Sequence, residues 1–160
     1  MVYPKQVLVV RGARQVGKTT CITKGIGSRP HLSLNFERQP SIAESVDRCE
    51  NFEDFTNYLK EEHKFIPGSQ ILFIDESQYS LKLSRFIRFM KEEWQTSPVI
   101  ITGSVVSEMF TEGHRQPVGQ IKHTSMWPLS FKEFLSAAGQ DSLVKAINTF
   151  SFDSFSEGLF

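Results

Sequence analysis

The feature that most constrains this chain is the octapeptide Gly12-Ala13-Arg14-Gln15-Val16-Gly17-Lys18-Thr19, which satisfies G-x-x-x-x-G-K-[S/T]. A short, β-branched apolar run, Gln6 to Val10, precedes it and reads as a buried strand. Lys18 to Ile26 follows with helical spacing and stops at Gly25 and Gly27. The glycines let the backbone fold tightly, so several N–H groups can point at one chain of phosphates. The helix N-terminus adds its partial positive charge. Lys18 can reach β- and γ-phosphates, and the Thr19 hydroxyl can ligate Mg²⁺. In 160 residues of ordinary composition the pattern arises by chance about 1% of the time or less. Residues 11–30 also hold five basic side chains and no acid. A solvated basic face explains that excess as well as phosphate attraction does, Lys18 excepted.

The second constellation is the apolar run Ile71-Leu72-Phe73-Ile74 closed by Asp75-Glu76. As a strand, it places two carboxylates at the carboxyl edge of a parallel sheet, where open α/β folds bind ligands. Asp75 suits the holding of Mg²⁺, directly or through water. Glu76 suits the polarising of an attacking water, whose proton it can accept. Thr102-Gly103-Ser104 closes a further apolar strand at the same edge. A hydroxyl there, with Ser104 as the candidate, senses a γ-phosphate or orients water; equally, Ser104 reads as a helix N-cap. Gln78 reads as a surface glutamine or as a relay of nucleotide state.

Around these motifs, strands alternate with helices. His31 to Asn35 alternates weakly as a strand, and residues 37–62 form an acidic helical stretch. Its clearest helix starts at Phe52, with apolar residues at 52, 55, 59 and 66, and is ended by Pro67-Gly68. Leu83, Phe86, Ile87, Met90 and Trp94 make one apolar helical stripe; Val99 to Ile101 is a buried strand and Gln120 to Ser125 another strand. Ser130 and Glu133 stand at capping-box spacing ahead of Phe134 and Leu135. Three strands are apolar throughout, which requires a mostly parallel sheet covered on both faces.

Composition excludes several classes. Eighteen basic and eighteen acidic residues sum to zero, so the chain is neither a strongly basic nucleic-acid binder nor an acidic tail protein. Cys21 and Cys49 cannot make a disulfide framework and form no ligand spacing with the four histidines. No apolar run reaches the roughly 18 residues of a membrane span, and no secretory leader is evident, so the expectation is a soluble, cytoplasmic protein.

Taken together, the motifs resemble those of the prokaryotic AAA-like P-loop ATPases, whose nucleotide domain precedes a C-terminal domain of uncertain function. The matching segments are Arg11 to Thr20, Leu34-Asn35-Phe36-Glu37, Phe73 to Gln78, Ile101 to Ser104, Pro117-Val118-Gly119, and Pro128 to Leu135. The resemblance implies a P-loop NTPase three-layer α/β sandwich. In it, one strand, ending at Thr102, separates the phosphate-loop strand from the Asp75-Glu76 strand. It implies ATP and Mg²⁺ as ligands, Gly12 to Thr20 as the binding loop with Thr20 near the α-phosphate, and hydrolysis coupled to a conformational change. It divides the chain into an ATPase domain over 1–150 and a Phe-rich tail over 151–160, the start of a missing C-terminal region.

Two departures qualify that expectation. Gln120 follows Gly119 where this group usually carries Arg or Lys, and glutamine cannot neutralise charge on a phosphate; Arg115 reads as an exposed loop arginine or, less favoured, as a nearby substitute. The chain also stops at Phe160, and Phe150, Phe152, Phe155 and Phe160 in its tail read either as core rings covering the nucleotide domain or, the favoured reading, as an interface to a protein partner or a further domain. Three functions compete: an ATPase switch, an ATP-binding interaction module with little hydrolysis, and a small-molecule kinase. Residues 110–122 hold only Arg115 and Lys122, too few cations for a kinase lid. A nucleic-acid partner stays open, with no groove-reading motif and no net positive charge behind it.

Overall fold

A computed structural model describes residues 7–103 and 121–149. Five strands form one sheet: β1 (Val7–Arg11), β2 (His31–Asn35), β3 (Ile71–Asp75), β4 (Val99–Gly103) and β5 (Ile121–Ser125). Their order is β2-β3-β4-β1-β5 and every pairing is parallel. β4 lies between the phosphate-loop strand and the Asp75 strand, as the resemblance implied. Parallel neighbours cannot be joined by a hairpin, so the connections cross over through helices. These are α1 (Lys18–Ile26), α2 (Pro40–Arg48), α3 (Phe52–His63) and α4 (Leu83–Glu93).

The period of two along each strand sends side chains alternately to the two faces of the sheet. Val7, Val9, Leu72, Ile74, Val99 and Ile101 share a core with α2, α3 and α4. Val10, Ile71 and Phe73 pack instead with Ile22 and Ile26 of α1. Three layers result, with α1 on one face and the other three helices opposite. Edge strand β5 is polar and largely exposed, whereas central β3 is buried at all five positions. This distribution agrees with the need to keep an unpaired sheet edge unattractive to other strands.

One aromatic cluster fills the space between α3 and α4. Phe55 and Phe86 stack with centroids 4.9 Å apart, and Trp94 lies 5.1 Å from Phe52 and 5.2 Å from Phe65. The acidic stretch over 37–62 is two helices, broken at Cys49–Asn51. Asn51 caps α3 reciprocally with Asp54. α3 also ends earlier than its apolar spacing implied. Lys64 turns left-handed (φ 56°), the Phe65 N–H caps the Leu59 carbonyl at 3.0 Å, and Phe65 rather than Ile66 is buried. Pro67-Gly68 therefore lies beyond the helix end.

The chain divides into two compact units, after Met126. Within the second, α5 (Phe131–Ala137) and α6 (Asp141–Thr149) pack together, and Lys132 Nζ donates to Asn148 Oδ1 at 2.6 Å. Ser130 accepts from the Glu133 N–H while Glu133 accepts from the Ser130 N–H, the capping box read from the sequence. Hydrogen bonds to the Ser130 backbone and hydroxyl hold the Glu133 carboxyl below its ordinary pKa. The tail phenylalanines from Phe150 onward lie outside the described residues.

Phe55 has no exposed surface and several aromatic neighbours, so truncation leaves a cavity that the cluster cannot collapse to fill. Phe55→Ala is expected to cost about 3–5 kcal/mol in urea unfolding followed by circular dichroism. Phe89→Ala, on the exposed rim of the same cluster, should cost about 1 kcal/mol.

Candidate functional site

β1 runs into the loop 12–17, and the loop runs into α1. An ideal Cβ on Gly12 would lie 2.3 Å from the Met126 carbonyl oxygen, so no larger residue fits where the loop leaves the sheet. Gly17 caps α1 with left-handed backbone (φ 91°), and Gln15 is also left-handed (φ 65°). Gly17 offers no side chain to cap the helix, and the first turn of α1 carries no acid. The first N–H groups of α1 therefore face outward without a side-chain partner, the arrangement that binds anions.

Lys18, the first residue of α1, is only 5% exposed. Its Nζ donates to the carbonyls of Gly12 and Ala13, both at 2.9 Å, which fixes the ammonium against the loop. Three donors are available to an ammonium, so one more remains for an anion. Ala13, Arg14, Gln15, Thr19 and Thr20 are exposed along the loop and first turn, with Val16 and Gly17 half-buried.

Asp75 ends β3 and is 2% exposed. Its Oδ2 accepts from Thr19 Oγ1 at 2.7 Å and from Asn35 Nδ2 at 3.0 Å. Its Oδ1 accepts from the Glu76 N–H at 3.1 Å and from the Thr102 hydroxyl. A buried carboxylate is tolerated only when its lone pairs are satisfied, and here four donors arrive from four segments. Register explains two of them: Asn35 pairs with Asp75 across β2–β3, and Ile74 pairs with Ile101, which brings Thr102 in line with Asp75.

Glu76 follows in left-handed conformation (φ 54°, ψ 47°) and opens a single 3-10 turn, Ser77–Tyr79. Its Oε2 accepts from Gln78 Nε2 at 2.6 Å. The Tyr79 hydroxyl donates to Glu37 at 3.2 Å, tying this turn to the one after β2.

These elements enclose a cleft of about 520 Å³. Gln15, Gly17, Lys18, Thr19, Thr20, Asp75 and Glu76 line it. Ser33, Asn35, Glu37 and Arg38 line it too, and of these Ser33 and Arg38 belong to no motif. Asn35 sat in the matching segment Leu34 to Glu37, but its contact with Asp75 depends on strand pairing. Arg38 is brought in by the turn after β2, where its N–H donates to Asn35 Oδ1 at 2.8 Å. It makes no ion pair among the described residues. The Thr102 hydroxyl, completely buried, braces Asp75. Ser104, Arg115 and Gln120 lie outside the described residues.

The donor set suits a magnesium phosphate. The uncapped helix start and Lys18 offer positive charge, and the Thr19 hydroxyl and Asp75 carboxylate offer hard oxygen ligands side by side. Among the described residues there is no cluster of three His, Cys, Asp or Glu that could hold a metal without such a ligand. No helix among them is long and apolar enough to cross a membrane.

A parallel α/β sheet with a glycine-rich phosphate loop between its first strand and first helix defines a P-loop NTPase fold. The family model for the AAA domain matches residues 4–135, so the chain belongs to that family. AAA ATPases generally use ATP and Mg²⁺. The chain is 27% identical over 153 residues to an uncharacterized protein of Haemophilus influenzae; the match covers 89% of this chain and 36% of that protein. The solved structure of C. elegans PCH-2 aligns over 93% of this chain and 42% of its own, at TM-score 0.49 and 8% identity.

Thr102→Val keeps the shape of the residue and removes one donor from a buried carboxylate. The expected cost is about 1–3 kcal/mol in chemical denaturation. An unchanged midpoint would show that Asp75 does not depend on this brace.

Proposed function

We propose that this domain hydrolyses ATP with Mg²⁺ and works as a nucleotide-dependent conformational switch. The observation that carries the reading is the 2.7 Å bond from Thr19 to Asp75, which joins the phosphate loop to the acidic strand end inside one cleft. Lys18 and the first N–H groups of α1 bind the β- and γ-phosphates, and Gly12 to Gly17 wrap them. Thr19 and Asp75 would hold Mg²⁺, which when bound supplies charge neutralisation and orientation of the phosphates. Glu76, in the same cleft, accepts the proton of a water molecule attacking the terminal phosphorus. Arg38 adds a cation at the rim, in a chain whose position 120 is glutamine.

The switch follows from how many segments meet at Asp75. Thr19 belongs to α1, Asn35 to β2, Thr102 to β4 and Glu76 to the turn after β3. A change in what Thr19 and Asp75 hold is felt by all four. Ser104 follows directly on β4 and stays a candidate for sensing the γ-phosphate. The Phe-rich tail as a docking segment for a protein partner or further domain, and a cytoplasmic location, belong to the same proposal. A second reading, nucleotide binding with little hydrolysis, is favoured by Gln120 where a cation is usual.

Two variants and one assay pair separate these readings. Lys18→Ala should abolish nucleotide binding by calorimetry. Glu76→Gln should bind Mg·ATP within about twofold of the original protein and release phosphate about 10²- to 10⁴-fold more slowly. Retained affinity in Lys18→Ala would remove the loop from the site. Phosphate release in the original protein no faster than in Glu76→Gln would favour the binding-only reading, and a gain in Gln120→Arg would then locate its cause.

A further inference from the structure

Gln78 is tied to the residue proposed to act on water. Its Nε2 donates to Glu76 Oε2 at 2.6 Å, a short, charge-assisted bond. An ionised carboxylate can only accept, so the amide must turn its NH₂ group toward Glu76. That leaves Gln78 Oε1 on the other side, where it is buried with no hydrogen-bond partner among the described residues. Flipping the amide would set two acceptors against each other. The orientation of Gln78 is thus set by Glu76, at the expense of its own carbonyl oxygen.

The turn that carries Gln78 is held at both ends. Behind it, Glu76 is left-handed and its N–H is bound to Asp75. Ahead of it, the Tyr79 hydroxyl reaches Glu37, and the Ser80 hydroxyl donates to Asp47 at 2.6 Å. Between them Ser77 is fully buried. Glu76 lines the cleft and Gln78 is not among its lining residues.

We propose that Gln78 is a positioning residue: it clamps one oxygen of the Glu76 carboxylate and thereby directs the other to the attacking water. This rests on the reading of Glu76 as the group that takes the proton of that water. Gln78 does not line the cleft and acts only through Glu76.

The test compares the full chain with Gln78→Ala, Gln78→Glu, Glu76→Gln and the double variant Glu76→Gln/Gln78→Ala. Gln78→Ala should lower kcat about 10- to 100-fold, the scale of a misplaced catalytic group, and leave the Kd for Mg·ATP within about twofold. Gln78→Glu keeps the shape, replaces the donor with a like charge beside Glu76, and should lower kcat at least as far as Gln78→Ala. In the double variant, Gln78→Ala should change the residual rate by less than about twofold, because the groups act as a unit. A readout independent of turnover is the NMR chemical shift of the Glu76 carboxyl carbon at one fixed pH, which should move in Gln78→Ala as the short donor bond is lost. An unchanged kcat in Gln78→Ala overturns the inference, as does an equal loss in both backgrounds. Full turnover in Glu76→Gln overturns the reading of Glu76 and this inference with it. Full turnover in Gln78→Ala alone overturns only the clamp.

Discussion

The Asp75 carboxylate is the constraint on which the rest of the site depends. It is almost wholly buried, and it accepts from Thr19, Asn35, Thr102 and the Glu76 backbone. Removing a charge from water is costly unless donors replace the lost hydration, so the four donors must all be in register. That requirement fixes the offset of β2 and β4 against β3. It also fixes the approach of α1, because Thr19 lies in its first turn. The fold and the site are therefore one arrangement, in which the strand order places three different elements around a single side chain.

Local backbone geometry completes the arrangement. Left-handed residues occur where the chain must turn sharply beside the cleft, at Gln15, Gly17 and Glu76. Glycine adopts this region freely, but for glutamine and glutamate it costs roughly 1 kcal/mol or more. The cost at Glu76 is borne where the side chain must leave the sheet edge and enter the cleft, and the Asp75–Glu76 and Gln78–Glu76 bonds oppose its relaxation. Strain at such a position is consistent with a functional demand on the side chain.

What the sequence made legible was local in character. The five strands, the helix behind the phosphate loop, the stripe from Leu83 to Trp94 and the Ser130–Glu133 cap all follow from periodicity or from capping chemistry within a few residues. The start of α3 at Phe52 is legible from its apolar spacing, but α2 is not separable from the acidic stretch, because Cys49–Asn51 contains neither Gly nor Pro. α6 is not legible in the same way, because it is nine residues long and none of its side chains is buried. The site divided in the same way. Lys18, Thr19, Asp75 and Glu76 are written in two motifs. The roles of Asn35 and Thr102 depend on cross-strand register, and the place of Arg38 in the cleft depends on the turn after β2. Gln78 read as a surface glutamine or a relay, and its bond to Glu76 depends on the left-handed turn that brings its amide back to the carboxylate.

The central claim is that one cleft takes a magnesium nucleotide between the phosphate loop and Asp75. Thermal unfolding of the chain with ATP, in Mg²⁺ and in EDTA, tests it most directly. A ligand that binds only the folded state at about 100 times its Kd adds about 2.7 kcal/mol of stability. The account predicts a rise of several degrees in Tm with Mg·ATP, a smaller rise with ATP in EDTA, and loss of the difference in Asp75→Ala. A Tm indifferent to ATP under both conditions would contradict it.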